Sequence, residues 1–271
     1  MAAPAAIPLI TLLTDFGAAD TFIGSMKGAI LGINPEARIV DLTHEVPAHD
    51  IRAGAYLLQS ATRYFPPGTI HVAVVDPGVG SERRPLLVST STQHFLAPDN
   101  GLLSYILAEE PDVEIRELTA QKYFLAAIGP TFHGRDLFAP AAAWLSQGEP
   151  LDAFGPRLKN LVRFEIRHPM LAKGRLVGEV QHVDRFGNLI TNIGFTELRD
   201  FVDMDDWLRL QITVRKTTVK GLQRCYSEAK PGKLAALVNS DGWLELFCNQ
   251  ARADKLAKAA LGARVEVRRA K

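Results

Sequence analysis

The chain has 271 residues, enough for one large domain or two ordinary ones, and its 47% apolar and 23% charged residues make the mixture of a soluble globular protein. With 31 Lys plus Arg against 30 Asp plus Glu it has no charge imbalance to steer it to nucleic acid, and no apolar run approaches the roughly 18 residues of a membrane span. The opening MAAPAAIPLI lacks the basic region of a signal peptide, and Cys225 and Cys248 form neither a disulfide framework nor a zinc signature, so a cytoplasmic location with free thiols is expected.

In chain order, Ile7 to Leu13 reads as a short strand, followed by the turn TDFGAAD and a helix over Phe22 to Ile33. A second strand is expected over Arg38 to Leu42, then a helix from Asp50 to about Tyr64. The β-branched run from Thr69 to Val75 ends abruptly at Asp-Pro-Gly. Pro85 to Leu96 reads as an antiparallel insertion, and Gly101 to Ala108 and His133 to Leu145 as further helices. Strands alternating with helices of this length predict an α/β domain around a mostly parallel central sheet. Near Gln147 the texture changes, and GRLVGEVQHVD, NLITNI, WLRLQITV, KLAALVN, WLELF and ARVEVRR read as short strands, with one helix over Gln250 to Ala260. The expected division is an N-terminal α/β domain over 1–160 and a smaller, β-barrel-like C-terminal domain over 161–271.

Three strand-like runs end in an Asp beside a Gly turn, at Asp15, Asp76 and Asp184. Ligands of open α/β sheets bind beyond the carboxyl ends of the strands, although an Asp there also serves as a helix cap or turn residue. Asp15 can accept two hydrogen bonds from a sugar diol, and Asp20 can cap the Phe22 helix or join the site. In DPGVGSERR, Arg83 or Arg84 can fold back on Asp76; the loop lacks the Gly-Lys-Ser/Thr ending of a P-loop. His133 stands at the mouth of an Ala-rich helix that Thr131 could cap, where a neutral imidazole could complete an Asp–Arg–His set that holds a water. Arg135 and Asp136 read as a structural ion pair or cap. The seven His residues show no ligand spacing, so no metal is expected. Phe186, Asn188 and Tyr226 could hold a purine through aromatic faces and an amide, or belong to the core.

TDFGAAD, VVDPGVGSERR, APDNGLL, TFHGRDLFAPAAA and DRFGN with LITNI, in this order, resemble the S-adenosylmethionine (SAM) hydrolase family, also termed SAM hydroxide adenosyltransferases, relatives of the enzymes that make fluoro- or chloro-deoxyadenosine. The resemblance runs from about Leu9 to the last strand. It implies hydrolysis of SAM to adenosine and L-methionine with SAM as substrate and no cofactor, in a homotrimer with active sites at subunit interfaces. By motif position the catalytic set is Asp76, Arg83 and His133. Asp15 matches the ribose contact, Asp184 the methionine amine contact, Phe186 and Asn188 adenine-side contacts, Tyr226 the adenine cover and Ser240 a methionine carboxylate contact. The halogenating relatives have Arg after that Ser, where this chain has Asp241. The fluorinating relatives also carry Tyr in place of Asp76, Thr in place of Val79 and Ser in place of Gly134. A carboxylate at Asp76 would repel a halide and could orient water, so the family pattern and the charge both point to water. The alternatives are a SAM-dependent halogenase and a non-catalytic adenosine or SAM sensor.

Overall fold

The computed structural model describes residues 9–110 and 112–270, so Ile7 and Pro8 of the first expected strand lie outside the described residues. The chain forms two compact units that divide between Ile166 and Arg167.

The first unit runs β1 (Leu9–Thr14), α1 (Phe22–Ile33), β2 (Arg38–Thr43), α2 (Ile51–Thr62), β3 (Ile70–Val74), β4 (Pro85–Ser89), β5 (His94–Pro98), α3 (Ser104–Glu109), β6 (Glu114–Glu117) and α4 (Ala139–Ser146). Its sheet has the order β2-β1-β3-β5-β4-β6; β2, β1, β3 and β5 are parallel, and β4 opposes both its neighbours. The alternation of side chains along β3 sorts its residues to two faces. Ile70, Val72 and Val74 pack with Met26 and Ile30 of α1 and Ala141 to Ala143 of α4. Ala73 and Val75 pack on the other face with Ala55 and Leu58 of α2 and with Leu102 and Ile106. Both faces of the sheet are therefore covered at its centre, which is why the inner strands are mostly apolar while the edge strands β2 and β6 are not. Asp50 caps α2 by accepting the Ala53 N–H at 3.0 Å.

The stretch Pro85 to Leu96 is not an insertion. β4 is antiparallel, but β5 pairs in parallel with β3 and sits inside the sheet. The four-residue edge strand β6 carries Glu114 and Arg116, paired at 2.6 Å, in place of an apolar pattern. Ahead of α4, Gly134–Phe138 form a single π-helical turn with no side-chain cap, so Thr131 does not have the expected capping role.

The second unit runs β7 (Met170–Ala172), β8 (Arg175–Val183), β9 (Leu189–Gly194), α5 (Phe195–Phe201), β10 (Leu210–Val214), β11 (Thr217–Lys220), β12 (Leu234–Val238), β13 (Trp243–Cys248), α6 (Ala253–Ala257) and β14 (Arg264–Arg269). Its antiparallel path is β11-β10-β14-β8-β9-β13-β12, with β7 beside β8. Gln223, just past β11, donates its N–H to the Ala236 carbonyl of β12 at 2.7 Å and nearly closes the path into a barrel. Val180, Leu189, Leu210, Ile212, Leu246, Val265 and Val267 fill the interior. The expected strand WLRLQITV begins only at Leu210: Met204–Arg209 form a 3₁₀ turn in which Trp207 meets Phe195 at 5.6 Å. The expected helix over Gln250 to Ala260 shrinks to α6, ended by Lys258 in the left-handed region.

Candidate active site

Asp15 and Asp76 leave the sheet at the same, carboxyl end of its parallel strands, because Thr14 of β1 is in register with Val74 of the neighbouring parallel strand β3. This is the end at which open α/β sheets bind ligands. Arg83 folds back on Asp76: its Nε reaches both carboxylate oxygens, at 3.0 and 2.8 Å, and its Nη2 lies 2.5 Å from Oδ2. The Asp76 side chain is 4% exposed and that of Arg83 9%, so the pair sits out of bulk water. The same Nη2 stands 2.7 Å from Nδ1 of His133. A guanidinium can only donate, so Nδ1 accepts and the neutral ring carries its proton on Nε2. Burial, with the charge of Arg83 second, holds His133 below the usual imidazole range. The three residues thus present a carboxylate and an N–H locked together by one cation.

Three local devices hold them. Gly80 has φ +78°, and a Cβ there would come within 2.4 Å of the Pro130 carbonyl oxygen, so only glycine lets the Asp76 loop approach the loop that carries His133. Arg84 turns the other way, onto the buried Asp99, with Nε 2.9 Å from Oδ2, and its Nη2 donates to the Asn160 carbonyl at 2.7 Å. The choice between Arg83 and Arg84 as partner of Asp76 is therefore resolved by geometry in favour of Arg83. Arg135 pairs at 2.5 Å with the fully buried Asp136, whose other oxygen accepts the Gly129 N–H at 2.8 Å. That pair is structural, as expected, and it braces the segment leading to His133.

Asp15 accepts the His49 N–H on one oxygen at 2.8 Å. Phe16 beside it and Phe132 beside His133 meet edge to face at 5.8 Å, which ties the two turns together. Asp20 is exposed on the same turn and makes no cap on α1, whose first turn has no side-chain cap at all.

In the second unit, a cavity of about 600 Å³ gathers Asp184, Phe186, Asn188 and Tyr226, together with Asn249 and Arg252. Phe186 is 75% exposed at its rim. Asn188 grips Asp184 from both ends: its backbone N–H donates to Oδ1 at 2.8 Å and its amide to Oδ2 at 3.0 Å. The amide nitrogen of Asn188 thus helps aim a carboxylate. Gly187 between them has φ +83° and touches the Arg252–Asp254 pair, so the turn cannot take a side chain. The Tyr226 hydroxyl donates to Glu245 at 2.9 Å, and Asn239 donates to the other oxygen at 3.1 Å. Burial, first, then the charge and hydrogen bond of Glu245 raise the Tyr226 hydroxyl, so it stays protonated as a donor. Ser240 is exposed in the β12–β13 turn and does not line this cavity.

Sequence reasoning missed Glu245, Asn249 and Arg252. The signal for Glu245 was a lone carboxylate inside the apolar run WLELF, because a buried acid needs partners there. For the other two, no local pattern marks them. Among the described residues, no group of three or more His, Cys, Asp or Glu side chains could hold a metal ion. No helix among them is long and apolar enough to cross a membrane.

Comparison with known proteins adds to this geometry. The SAM hydroxide adenosyltransferase N-terminal domain matches residues 10–155, and the C-terminal domain of the same family matches residues 178–266. An (R)-S-adenosyl-L-methionine hydrolase of Methanocaldococcus jannaschii is 36% identical, with 92% of each chain covered. A Fluorinase of Nocardia brasiliensis is 29% identical, over 90% of this chain and 91% of the relative. The crystal structure of an uncharacterized conserved protein from Thermotoga maritima superposes with a TM-score of 0.90 at 36% identity, covering 96% of this chain and all of the other. The two family domains account for most of the chain, one in each unit, and the chain belongs to the SAM hydroxide adenosyltransferase family.

Proposed function

We propose that this chain is an enzyme that hydrolyses S-adenosyl-L-methionine to adenosine and L-methionine, with the (R)-sulfonium form for which its relatives are named as the substrate. The observation that carries this reading is Arg83 joined at once to Asp76 and His133. A carboxylate and a neutral N–H fixed side by side suit a water molecule, and the carboxylate disfavours a halide.

Water attacks the ribose 5′ carbon in line with the sulfonium. The carbon–sulfur bond breaks with its electron pair on sulfur, methionine leaves as a neutral thioether, and the water proton passes out by way of Asp76. The leaving group needs no general acid, so the protein's task is to hold the water about 3 Å from the carbon. Arg83 fixes the carboxylate, and His133 donates from Nε2 instead of acting as the base. Asp15, with Asp20 on the same turn, serves the ribose; Asp184 serves the methionine amine; Phe186, Asn188 and Tyr226 serve the adenine; Ser240 serves the methionine carboxylate. The reading includes a cytoplasmic homotrimer with active sites at subunit interfaces, acting without a cofactor, nucleic acid or membrane.

The test is to incubate the purified protein with each SAM epimer, with and without chloride or fluoride, and to resolve the nucleosides by chromatography. Adenosine plus methionine, lost in Asp76→Ala with SAM binding kept, supports the hydrolase. A halogenated deoxyadenosine makes it a halogenase, and tight adenosine binding without turnover makes it a sensor. Turnover after dialysis against chelator tests the absence of a cofactor, and the mass in solution tests the trimer.

A further inference from the structure

A second cavity in the β-rich unit, of about 730 Å³, has a lining unlike the first: Lys173, Arg175, Arg268 and Arg269 supply four cations, Asp200 the one carboxylate, and Leu171 an apolar wall. It lies at the other end of β8. Arg175 begins that strand and Asp184 follows its end, a separation of roughly 30 Å at the rise of an extended chain. The cavity is therefore separate from the one that holds Asp184 and Tyr226.

We propose that this cavity binds a small oligophosphate, such as a nucleoside di- or triphosphate or inorganic polyphosphate. The barrel's register brings the cations together. Inward positions of β10, β14 and β8 are apolar, while Gln211 and Arg268 are cross-strand partners on the outer face. Val267 pairs with Leu176, so Arg268 and Arg175 follow as the next positions of adjacent strands. Like charges placed so repel; Glu266 offsets Arg175, whereas Arg268 has no acid partner among the described residues.

The cations are anchored rather than loose. Gln211 Oε1 accepts from Arg268 at 3.0 Å, and the Phe201 carbonyl accepts from Arg269 at 3.1 Å; both anchors are neutral, and among the described residues neither cation forms a salt bridge. Lys173 and Gly174, with φ of 50° and 70°, form the two-residue turn of the β7–β8 hairpin, and Lys173 lines the cavity from that turn. Asp200 is already engaged with Arg199 at 3.2 Å, and Glu266 pairs with Arg175 at 2.7 Å and Arg264 at 2.9 Å, which offsets Arg175 and leaves Lys173, Arg268 and Arg269 as the charges offered to a ligand. Guanidinium forks recognise phosphate oxygens in pairs, several such groups in a row call for several phosphates, and the volume suits a ligand of nucleotide size.

The experiment is titration calorimetry of the full chain with inorganic tripolyphosphate, with ATP, and with citrate as a carboxylate of comparable charge. The proposal expects tripolyphosphate to bind and citrate to bind far more weakly. It also expects Lys173→Gln with Arg268→Gln to weaken tripolyphosphate at least about tenfold, while Lys216→Gln, one surface charge removed at the β10–β11 turn, changes little. Tighter binding of ATP than of tripolyphosphate would place the organic group against Leu171. Absence of binding, equal binding of citrate, or equal weakening by Lys216→Gln would each overturn it. These charges are exposed and outside the barrel core, and an unchanged melting midpoint without ligand checks that the variant folds.

Discussion

The Nη2 of Arg83 stands 2.7 Å from Nδ1 of His133, and this contact survives only while Nδ1 is unprotonated. Protonation would put an N–H against a cation. Burial and Arg83 already hold the imidazole below its usual range, so the neutral ring persists to lower pH than an ordinary histidine. Under the proposed reaction, kcat/KM should hold through pH 6.5 and fall on the acid side, as the ring charges and releases Arg83. In His133→Asn, whose amide oxygen can accept from Arg83, the rate should drop and this acid limb should move or vanish. An unchanged limb would assign the titration to another group.

Arg83 and Arg84 are neighbours in sequence with different partners, and their alanine variants should separate cleanly. Arg83→Ala removes the cation joining Asp76 to His133 and should cut turnover by about two to three orders of magnitude, in the range of lost preorganised electrostatics. Arg84→Ala strands the buried Asp99 and should cost about 1–3 kcal/mol of stability, discounted because Arg84 itself is about one-third exposed. Its turnover per folded molecule should change far less. Denaturant melts run beside single-turnover rates distinguish the two. Equal loss of activity in both would mean the loop acts as one unit.

The periodicity of the first unit was legible because strands buried on both faces carry continuous apolar runs, and β3 is the clear case. The position of β5 was not, since a five-residue strand does not say whether its partner is β4 alone or β3 as well. In the second unit, Trp207 overrode a strand-like pattern by packing on Phe195, a tertiary contact that no local window contains. The site divides in the same way. Asp15, Asp76 and Asp184 were visible because three strand ends in one chain carry an Asp before a Gly turn, although any one of them alone reads equally as a cap or turn residue. Glu245 showed only as a lone acid in an apolar run, its partner Tyr226 lying 19 residues away, and nothing local tied Arg252 to the Asp184 turn, whose Arg185 carbonyl it meets 67 residues away.

Gly80 should tolerate no side chain. Gly80→Ala combines φ +78° with a Cβ 2.4 Å from the Pro130 carbonyl oxygen, and the left-handed conformation alone costs about 1–2 kcal/mol. The chain's easiest relief is to lift the Asp76 loop away from the Pro130 segment, which draws Arg83 off His133. The expected result is a lowered melting midpoint together with a fall in kcat larger than any rise in KM. A variant that melts early but turns over normally would show that the loop relaxes elsewhere.

His71 should make the first unit sensitive to acid. It is fully buried in β3, its Nδ1 is 2.7 Å from the Thr11 hydroxyl, and its ring stacks on Phe95 at 4.9 Å. Burial pulls its pKa down to about 4, so the folded state stays neutral where the unfolded chain has already taken up a proton. Its folded value lies below its unfolded one, so stability is intact above pH 6.5 and drains away as the pH falls from 6.5 towards 4. At pH 5 the loss from this residue is about 2 kcal/mol. Burial shifts His94 of the adjacent strand in the same direction, which steepens the fall. Urea unfolding at pH 7 and pH 5 measures the difference directly. His71→Gln, which cannot titrate there and still offers Thr11 a hydrogen bond, should be less stable at pH 7 but should show a shallower decline; a decline as steep as in the parent protein would place the acid sensitivity outside this residue.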